Sequence, residues 1–175
     1  MNLFEVYKLW DIEPVKGLDT TLWDKNGEVY TDLYGGHAVI SVGHSHPRYV
    51  NAIKSQAEKL VFYSNSIQNK LQVELAEKLG EISGCEEYSL FLVNSGAEAN
   101  ECAIKVARKW ANDTKGDANR NIITLKNSFH GRTLTTLAAT GQDTFHKDFT
   151  PLTEGFLYAE ANDIEAIKTL VTENK

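Results

Sequence analysis

The sequence has little cysteine, with only two Cys among its 175 residues. Cys85 and Cys102 lie far apart in the chain, and no Cys-x-x-Cys pair is present. Disulfide-rich secreted proteins and common thiolate zinc sites have the opposite pattern. A reducing compartment is the simplest interpretation, and we expect a cytoplasmic protein.

Long hydrophobic runs are missing as well. The longest are only a few residues, such as Leu90-Phe91-Leu92-Val93, far short of the ~20 that a membrane helix requires. The first residues, MNLFEVYKLWDIEP, mix apolar and charged side chains and match neither a signal peptide nor a transit peptide. Acidic residues outnumber basic ones by 24 to 18, and Lys and Arg form no cluster. We therefore expect neither membrane insertion nor nucleic-acid binding.

What is present is the composition of a folded chain, with 42% hydrophobic and 24% charged residues. In the first part, Asn26-Gly27 lies between Thr21-Leu22-Trp23 and Val29-Tyr30-Thr31. Asn-Gly supplies the positive φ angles of a tight hairpin, which predicts a small antiparallel ribbon. Apolar residues at helical spacing then predict one helix after Pro47 and a second that ends near Gly84.

The second half alternates strand-like and helix-like segments. Residues 88–93, 122–125 and 156–159 are apolar runs that predict buried strands, and a helix is predicted after Ser95 and another after Asp163. Strand–helix alternation predicts an α/β fold with a mostly parallel sheet. A sheet that stops after the last helix is incomplete, so we expect the chain to be a fragment.

The turn Asn94-Ser95-Gly96-Ala97 is the strongest chemical signal. It follows a predicted strand and opens a predicted helix, whose first N–H groups and dipole favour an anion. Gly96 lets a ligand approach the backbone, and Ser95 adds a hydroxyl donor. A phosphate monoester is the natural ligand, and the alternative is a plain serine N-cap. Neither a P-loop nor a dinucleotide-binding Gly-x-Gly-x-x-Gly is present.

The segment Phe129-His130-Gly131-Arg132-Thr133 follows the next predicted strand. Both segments therefore fall at carboxyl ends of strands, where α/β sheets bind ligands. Phe129 is suited to stack on a flat ligand, and Arg132 to hold a carboxylate through two hydrogen bonds. The alternative is a surface loop with a core Phe and a solvated Arg.

Two other chemistries have little support. His44-Ser45-His46 has no accompanying acidic or cysteine cluster, so a structural turn before Pro47 is favoured over a metal site. Ser95 is not in a Gly-x-Ser-x-Gly motif, so serine hydrolysis is not indicated.

Five motifs together carry a family resemblance. In chain order they are Leu33-Tyr34-Gly35-Gly36-His37-Ala38-Val39, Gly43-His44-Ser45-His46-Pro47, Tyr63-Ser64-Asn65, Asn94-Ser95-Gly96-Ala97-Glu98-Ala99-Asn100-Glu101 and Phe129-His130-Gly131-Arg132-Thr133. The sequence resembles the class III, ornithine-aminotransferase-like, pyridoxal-phosphate enzymes, in particular the acetylornithine aminotransferase branch. The resemblance covers nearly the whole chain.

The resemblance implies a part of the type I fold of pyridoxal-phosphate-dependent transferases. Residues 1–45 would be an N-terminal arm and ribbon belonging to a small domain. Residues 46–175 would be the first part of the large cofactor-binding domain. Family members act as homodimers with shared sites, so a second copy of the chain is an expected partner.

The resemblance also implies roles for the cofactor-binding residues. Ser95, Gly96 and Ala97 would hold the phosphate of pyridoxal phosphate, and Phe129 would stack on its ring. The Schiff-base lysine and the acidic partner of the ring nitrogen lie beyond the matched region. None of the lysines here fits the family's lysine motif, so we expect no catalytic residue in this chain.

On the substrate side, Arg132 would bind the α-carboxylate of an amino acid, and Ser64 and Asn65 would line the substrate entrance with the Gly35-Gly36 turn. The implied reaction moves the terminal amino group of an N²-acylated ornithine to 2-oxoglutarate, in arginine biosynthesis. Ornithine itself and other ω-amino acids are alternative substrates. A non-catalytic fragment, or one half of a split protein, is the alternative to an enzyme.

Overall fold

The computed structural model describes residues 2–116 and 120–174. The chain divides into two compact units, Met1–Leu71 and Gln72–Lys175. The domain division predicted between residues 45 and 46 concerns the small and large domains of the family, and it stays a prediction.

The first unit contains a three-stranded antiparallel sheet of β1 (Pro14–Leu18), β2 (Thr21–Asp24) and β3 (Val29–Thr31). The turn between β2 and β3 is closed by Asp24, whose Oδ1 accepts hydrogen bonds from the N–H groups of Asn26 and Glu28, both at 2.9 Å. Gly27 supplies the positive φ of 86°. The predicted hairpin is confirmed, and β1 is a third strand that the sequence did not indicate.

Two helical segments follow the ribbon. The single turn α1 (Gly35–Ala38) is left-handed, with φ of 58° at Gly35 and 62° at His37. Helix α2 (Pro47–Ala57) begins at a proline because this residue needs no N–H partner in the first turn. It confirms the helix predicted after Pro47.

The second unit contains α3 (Lys70–Ser83), which starts at its border, and α4 (Gly96–Lys115). These confirm the next two predicted helices. After α4 come β4 (Ile122–Leu125), the short helices α5 (Leu134–Ala139) and α6 (Asp143–His146), then β5 (Phe156–Ala159) and α7 (Ile164–Glu173). Strands β4 and β5 pair in parallel, from Ile122 beside Phe156 to Leu125 beside Ala159, as the strand–helix alternation predicted.

The strand predicted over residues 88–93 is wrong for this structure. The segment pairs with no strand among the described residues, and its side chains are exposed, Phe91 by 67%. An apolar run favours a buried strand, but a strand also needs neighbouring backbone N–H and C=O groups to bond with. The sheet of β4 and β5 has only these two strands, so each keeps one unpaired edge, but in the described part of the chain residues 88–93 pair with neither.

Among the described residues of the second unit, few apolar side chains are buried, and these come from α4, α5 and β5: Ile104, Ala111, Leu137, Ala138, Ala139 and Ala159. Large apolar side chains elsewhere remain exposed, among them Ile82 of α3 by 67%. Exposed apolar surface on this scale is typical of a chain that other protein covers. Within the described ranges, no helix combines the length and apolar character that a membrane crossing requires.

Candidate functional site

The first turn of α4 is closed by a reciprocal cap between Ser95 and Glu98. Ser95 has an extended backbone (φ −149°, ψ 160°), and its Oγ accepts a hydrogen bond from the Glu98 N–H at 3.2 Å. The Glu98 carboxylate accepts bonds from the Asn94 N–H at 2.8 Å and from the Ser95 hydroxyl at 3.2 Å. Hydrogen bonds from Asn94, side chain and backbone, lower the pKa of the Glu98 carboxyl. Sequence analysis assigned Glu98 no role, and the structure shows it as part of the helix cap.

Two backbone donors remain at this helix end. In the part of the chain that the structure describes, no acceptor is bonded to the N–H of Gly96 or of Ala97. A Cβ built on Gly96 would meet no atom within 4 Å, and the backbone there is not in the left-handed region. The protein itself therefore does not require glycine at this position. Free N–H groups beside open space at a long helix's N-terminus suit the oxygen atoms of a phosphate.

The loop of residues 129–133 packs directly on this turn. A Cβ at Gly131 would lie 2.7 Å from the Ala97 Cβ and 2.6 Å from the Thr136 Oγ1, closer than atoms can approach. Gly131 also has φ of 136°, where side chains are strained. Only glycine allows this approach, and it brings together the two segments that the sequence had singled out.

Hydrogen bonds hold the same loop to α4. The Asn100 side chain donates from Nδ2 to the carbonyl oxygen of His130 at 2.8 Å. The Thr133 hydroxyl donates to the Glu101 carboxylate. Ala97, Asn100 and Glu101 have the spacing i, i+3 and i+4, which places them on one face of a helix. Sequence analysis assigned Asn100 no role, and this spacing was the signal that could have identified the face.

Phe129 and Arg132, on either side of Gly131, meet a third residue. The Phe129 ring is 6.0 Å from the ring of Phe145, centroid to centroid, at an angle of 66°. The guanidinium carbon of Arg132 is 5.7 Å from the centre of the same Phe145 ring. Phe129 is 56% exposed, so much of its side chain is accessible. Phe145, in α6, belongs to none of the recognised motifs, and sequence analysis missed it.

Ser64 and Asn65 belong to the other unit. They lie in the exposed segment between α2 and α3, where the Ser64 Oγ accepts a hydrogen bond from the Ser66 N–H at 3.2 Å. Their place at a substrate entrance with Arg132 stays a prediction. In the same unit, the hydroxyl of Tyr34, the N-cap residue of α1, forms a hydrogen bond with the His37 ring, at 2.9 Å from Nε2.

The His44-Ser45-His46 segment is part of a turn, as the sequence favoured. The His44 Nε2 lies 2.7 Å from the Asp32 Oδ2, and this bond is the main cause that lowers the pKa of the Asp32 carboxyl. His46 is the N-cap residue of α2, just before Pro47. No group of three or more potential metal ligands occurs among the described residues.

A cavity of about 270 Å³ lies at the carboxyl ends of β4 and β5, lined in part by Lys126, His146, Tyr158 and Glu160. Lys126 forms an ion pair with Glu160, and this hydrogen bond raises the pKa of the Lys126 ammonium. A nucleophilic lysine must be neutral, so this environment opposes that role. The expectation that no lysine of this chain is catalytic stays a prediction.

Comparison with known proteins gives the family context of this geometry. The profile of the family described as Aminotransferase class-III matches residues 6–175. The chain is 49% identical over 98% of its length to an acetylornithine aminotransferase of Caldanaerobacter subterraneus subsp. tengcongensis, of which it covers 43%. It is 41% identical over 97% of its length to a succinylornithine transaminase of Salmonella paratyphi A, of which it covers 41%.

A solved structure shows the same fold. The ornithine aminotransferase of Toxoplasma gondii, a structure with partial occupancy of pyridoxal phosphate at its active site, superposes with a TM-score of 0.87. It is 31% identical and matches 98% of this chain and 40% of its own. The predicted fold class, a part of the α/β type I transferase fold, is confirmed. The chain spans less than half the length of each of these relatives.

Proposed function

From the membership of this chain in the class-III aminotransferases, we propose that the protein transfers the terminal amino group of an N²-acylated ornithine to 2-oxoglutarate, in arginine biosynthesis. Pyridoxal phosphate is the cofactor of this family. The relatives named above act, by their names, on acetylornithine and succinylornithine, and both exceed 40% identity. The ornithine aminotransferase is 31% identical, which favours an acylated substrate over free ornithine.

The observation that carries the proposal is the contact between Gly131 and Ala97. It joins a turn with two free N–H groups to a loop with an accessible ring and a guanidinium. Phosphate, flat ring and carboxylate are the three groups that a cofactor and an amino-acid substrate present together. The open space at Gly96 fits the cofactor's phosphate, since the protein fills none of it.

The proposal gives each residue of the cofactor side a specific role. The N–H groups of Gly96 and Ala97 would donate to the phosphate oxygens, and the cap leaves them available. The hydroxyl of Ser95 donates to Glu98, so it would reach the phosphate only by giving up that bond. The exposed side chain of Phe129 would lie on the cofactor ring. When bound, the cofactor withdraws electrons from the substrate carbon that bears the amino group.

Arg132 would hold the substrate carboxylate, and its guanidinium stays charged at any working pH. Phe145 lies beside both Arg132 and Phe129, so one ring would fix the direction of both side chains. Ser64 and Asn65 would complete the substrate entrance. No lysine of this chain is assigned a catalytic role.

We also propose that the protein works in the cytoplasm and that a second copy of it is a partner. Both cysteines are free, as a reducing compartment would keep them. The arm carries exposed apolar side chains, including Phe4 by 91% and Trp10 by 75%, which a second subunit would cover. Light scattering of the purified protein measures its oligomeric state, and a monomer at micromolar concentration would contradict the proposed second copy.

The activity is tested with protein made from its complete coding sequence. We expect glutamate to form from N²-acetylornithine or N²-succinylornithine with 2-oxoglutarate, and to depend on pyridoxal phosphate. Ornithine and 4-aminobutyrate are the comparison substrates, and a faster reaction with either would contradict the acyl assignment.

An intact-mass measurement after borohydride treatment separates an enzyme from a non-catalytic fragment. A chain of 19.5 kDa without bound cofactor would show that the 175 residues alone are not a working aminotransferase. A heavier chain with one reduced cofactor per subunit would support the enzyme.

A further inference from the structure

We infer that Asn100 is a positioning residue of this site: by bonding the His130 carbonyl, it sets the angle at which the loop of residues 129–133 presents Phe129 and Arg132. The inference rests on the proposed function. It assigns Asn100 no contact with cofactor or substrate. It deepens that proposal by naming what couples the phosphate turn to the ring-binding and carboxylate-binding loop.

The first observation is the position of the bond. The Asn100 amide reaches across 30 residues of sequence to a carbonyl in the middle of the functional loop, at 2.8 Å. His130 directly follows Phe129 and is two residues before Arg132. The bonded carbonyl therefore lies between the two residues that would contact the cofactor ring and the substrate carboxylate.

The second observation is that His130 is held at both of its backbone groups. Its N–H donates to the Thr140 Oγ1 at 3.0 Å, and the Thr140 hydroxyl donates to the Thr136 carbonyl at 2.9 Å. Thr136 and Thr140 are both fully buried. The N–H side is thus anchored in α5 and the residue after it, and Asn100 is the anchor on the carbonyl side.

The remaining contacts on this face of α4 hold the flanks of the loop. Gly131 packs on Ala97, and Thr133 bonds Glu101. Because these two contacts persist without Asn100, its loss would not detach the loop. The loss of Asn100 would leave the His130 peptide free to rotate between the contacts that remain. The orientation of the peptide would then change while the fold is kept.

The chemistry of the side chain explains why asparagine stands here. A carbonyl requires a donor, and an Asn amide supplies one from a short side chain. Aspartate has the same shape but, when ionised, only accepts, so it would leave the carbonyl without a partner. Asn100→Asp therefore removes the donor while preserving the volume. Asn112, exposed on the same helix and without a side-chain bond among the described contacts, provides the matched control Asn112→Asp.

The test uses protein made from its complete coding sequence and loaded with pyridoxal phosphate. Visible circular dichroism of the bound cofactor reports the ring's surroundings, and KM for the amino-acid substrate reports the carboxylate contact. Competition by inorganic phosphate against cofactor binding reports the phosphate turn. We expect Asn100→Asp to change the dichroism and raise KM about tenfold, as one unsatisfied carbonyl implies. The phosphate inhibition constant should stay within about twofold, because the N–H groups of Gly96 and Ala97 belong to the helix itself.

Asn112→Asp should match the unsubstituted protein in all three measurements. Equal behaviour of Asn100→Asp and Asn112→Asp would overturn the inference and leave the proposed function standing. An equal loss of phosphate competition and ring signal would overturn it too, because that result indicates general damage to α4. If the unsubstituted protein binds no pyridoxal phosphate, both proposals fail. Should Asn100→Asp not fold, Asn100→Ala, which adds no charge, is judged by the same measurements.

Discussion

Gly131 lies against Ala97 with no room for a side chain, since a Cβ on Gly131 would come within 2.7 Å of the Ala97 Cβ. The two residues are 34 positions apart, and each belongs to a segment with its own chemical character. Their contact brings two separate motifs together in one candidate site. The predictions below concern protein made from its complete coding sequence.

Gly131→Ala should destabilise the fold. The added Cβ meets the Thr136 Oγ1 and Ala97 at less than 3 Å, and φ is 136°. Overpacking and backbone strain together cost about 2 kcal/mol or more. Urea unfolding measures the loss, and Gly96→Ala is the control because its Cβ meets nothing. Equal stability of the two variants would contradict the packing described here.

Gly96→Val should weaken binding of pyridoxal phosphate without lowering stability to the same degree. A Cβ at this position meets no protein atom within 4 Å, and the valine side chain would occupy the space proposed for the phosphate. We expect the dissociation constant to rise at least about tenfold, the effect of losing one charge-assisted hydrogen bond. Fluorescence titration measures it. Ala99→Val, an exposed change on the same helix, should bind normally, and unchanged binding by Gly96→Val would refute the phosphate site.

Arg132→Ala should raise KM for the amino-acid substrate far more than it weakens cofactor binding. Loss of a two-bond contact to a carboxylate costs about 3 kcal/mol, or roughly a hundredfold. Arg132→Lys should recover little, because an ammonium cannot form the paired bonds. Steady-state kinetics and cofactor titration give the two values. Parallel losses in both would argue against the carboxylate role, and the exposed Arg48→Ala should change neither.

Glu98 should make stability depend on pH. Its hydrogen bonds with Asn94 hold the folded-state pKa below its ordinary value of 4.5, so folding favours the ionised form. The resulting stabilisation is complete above that value and is lost as the pH falls through the lower folded-state pKa. Urea midpoints between pH 7 and pH 3 should fall less steeply for Glu98→Gln than for the unsubstituted protein. Glu77→Gln, an exposed change on α3, should leave the slope unaltered.

Local sequence predicts the hairpin of the first unit and the main helices of this molecule. Asn26-Gly27 predicts the hairpin because the positive φ of Gly27 is decided by residues within the turn. Helices α2, α3 and α4 follow from apolar spacing and from their first residues. The turn proposed to bind phosphate was also recognisable as a candidate, since a helix's free N–H groups depend only on where the helix begins.

Residues 88–93 mark where local reasoning failed. Their apolar character is that of a buried strand, yet they pair with no strand in the ranges described. Hydrogen bonds in a sheet are made between segments, so a strand's existence depends on a partner that its own residues do not encode.

The sequence by itself determined the family, the chemical character of the two motifs and the local elements that bear them, because those depend on residue types and short spacings. Only the tertiary structure decided that Gly131 rests on Ala97, that Asn100 bonds the His130 carbonyl, and that Phe145 stands beside Phe129 and Arg132. These contacts join positions between 13 and 34 residues apart at distances of a few ångströms. Contacts between distant positions depend on how the helices and strands pack. Packing is the sum of many weak contacts across the fold, which no single sequence motif specifies.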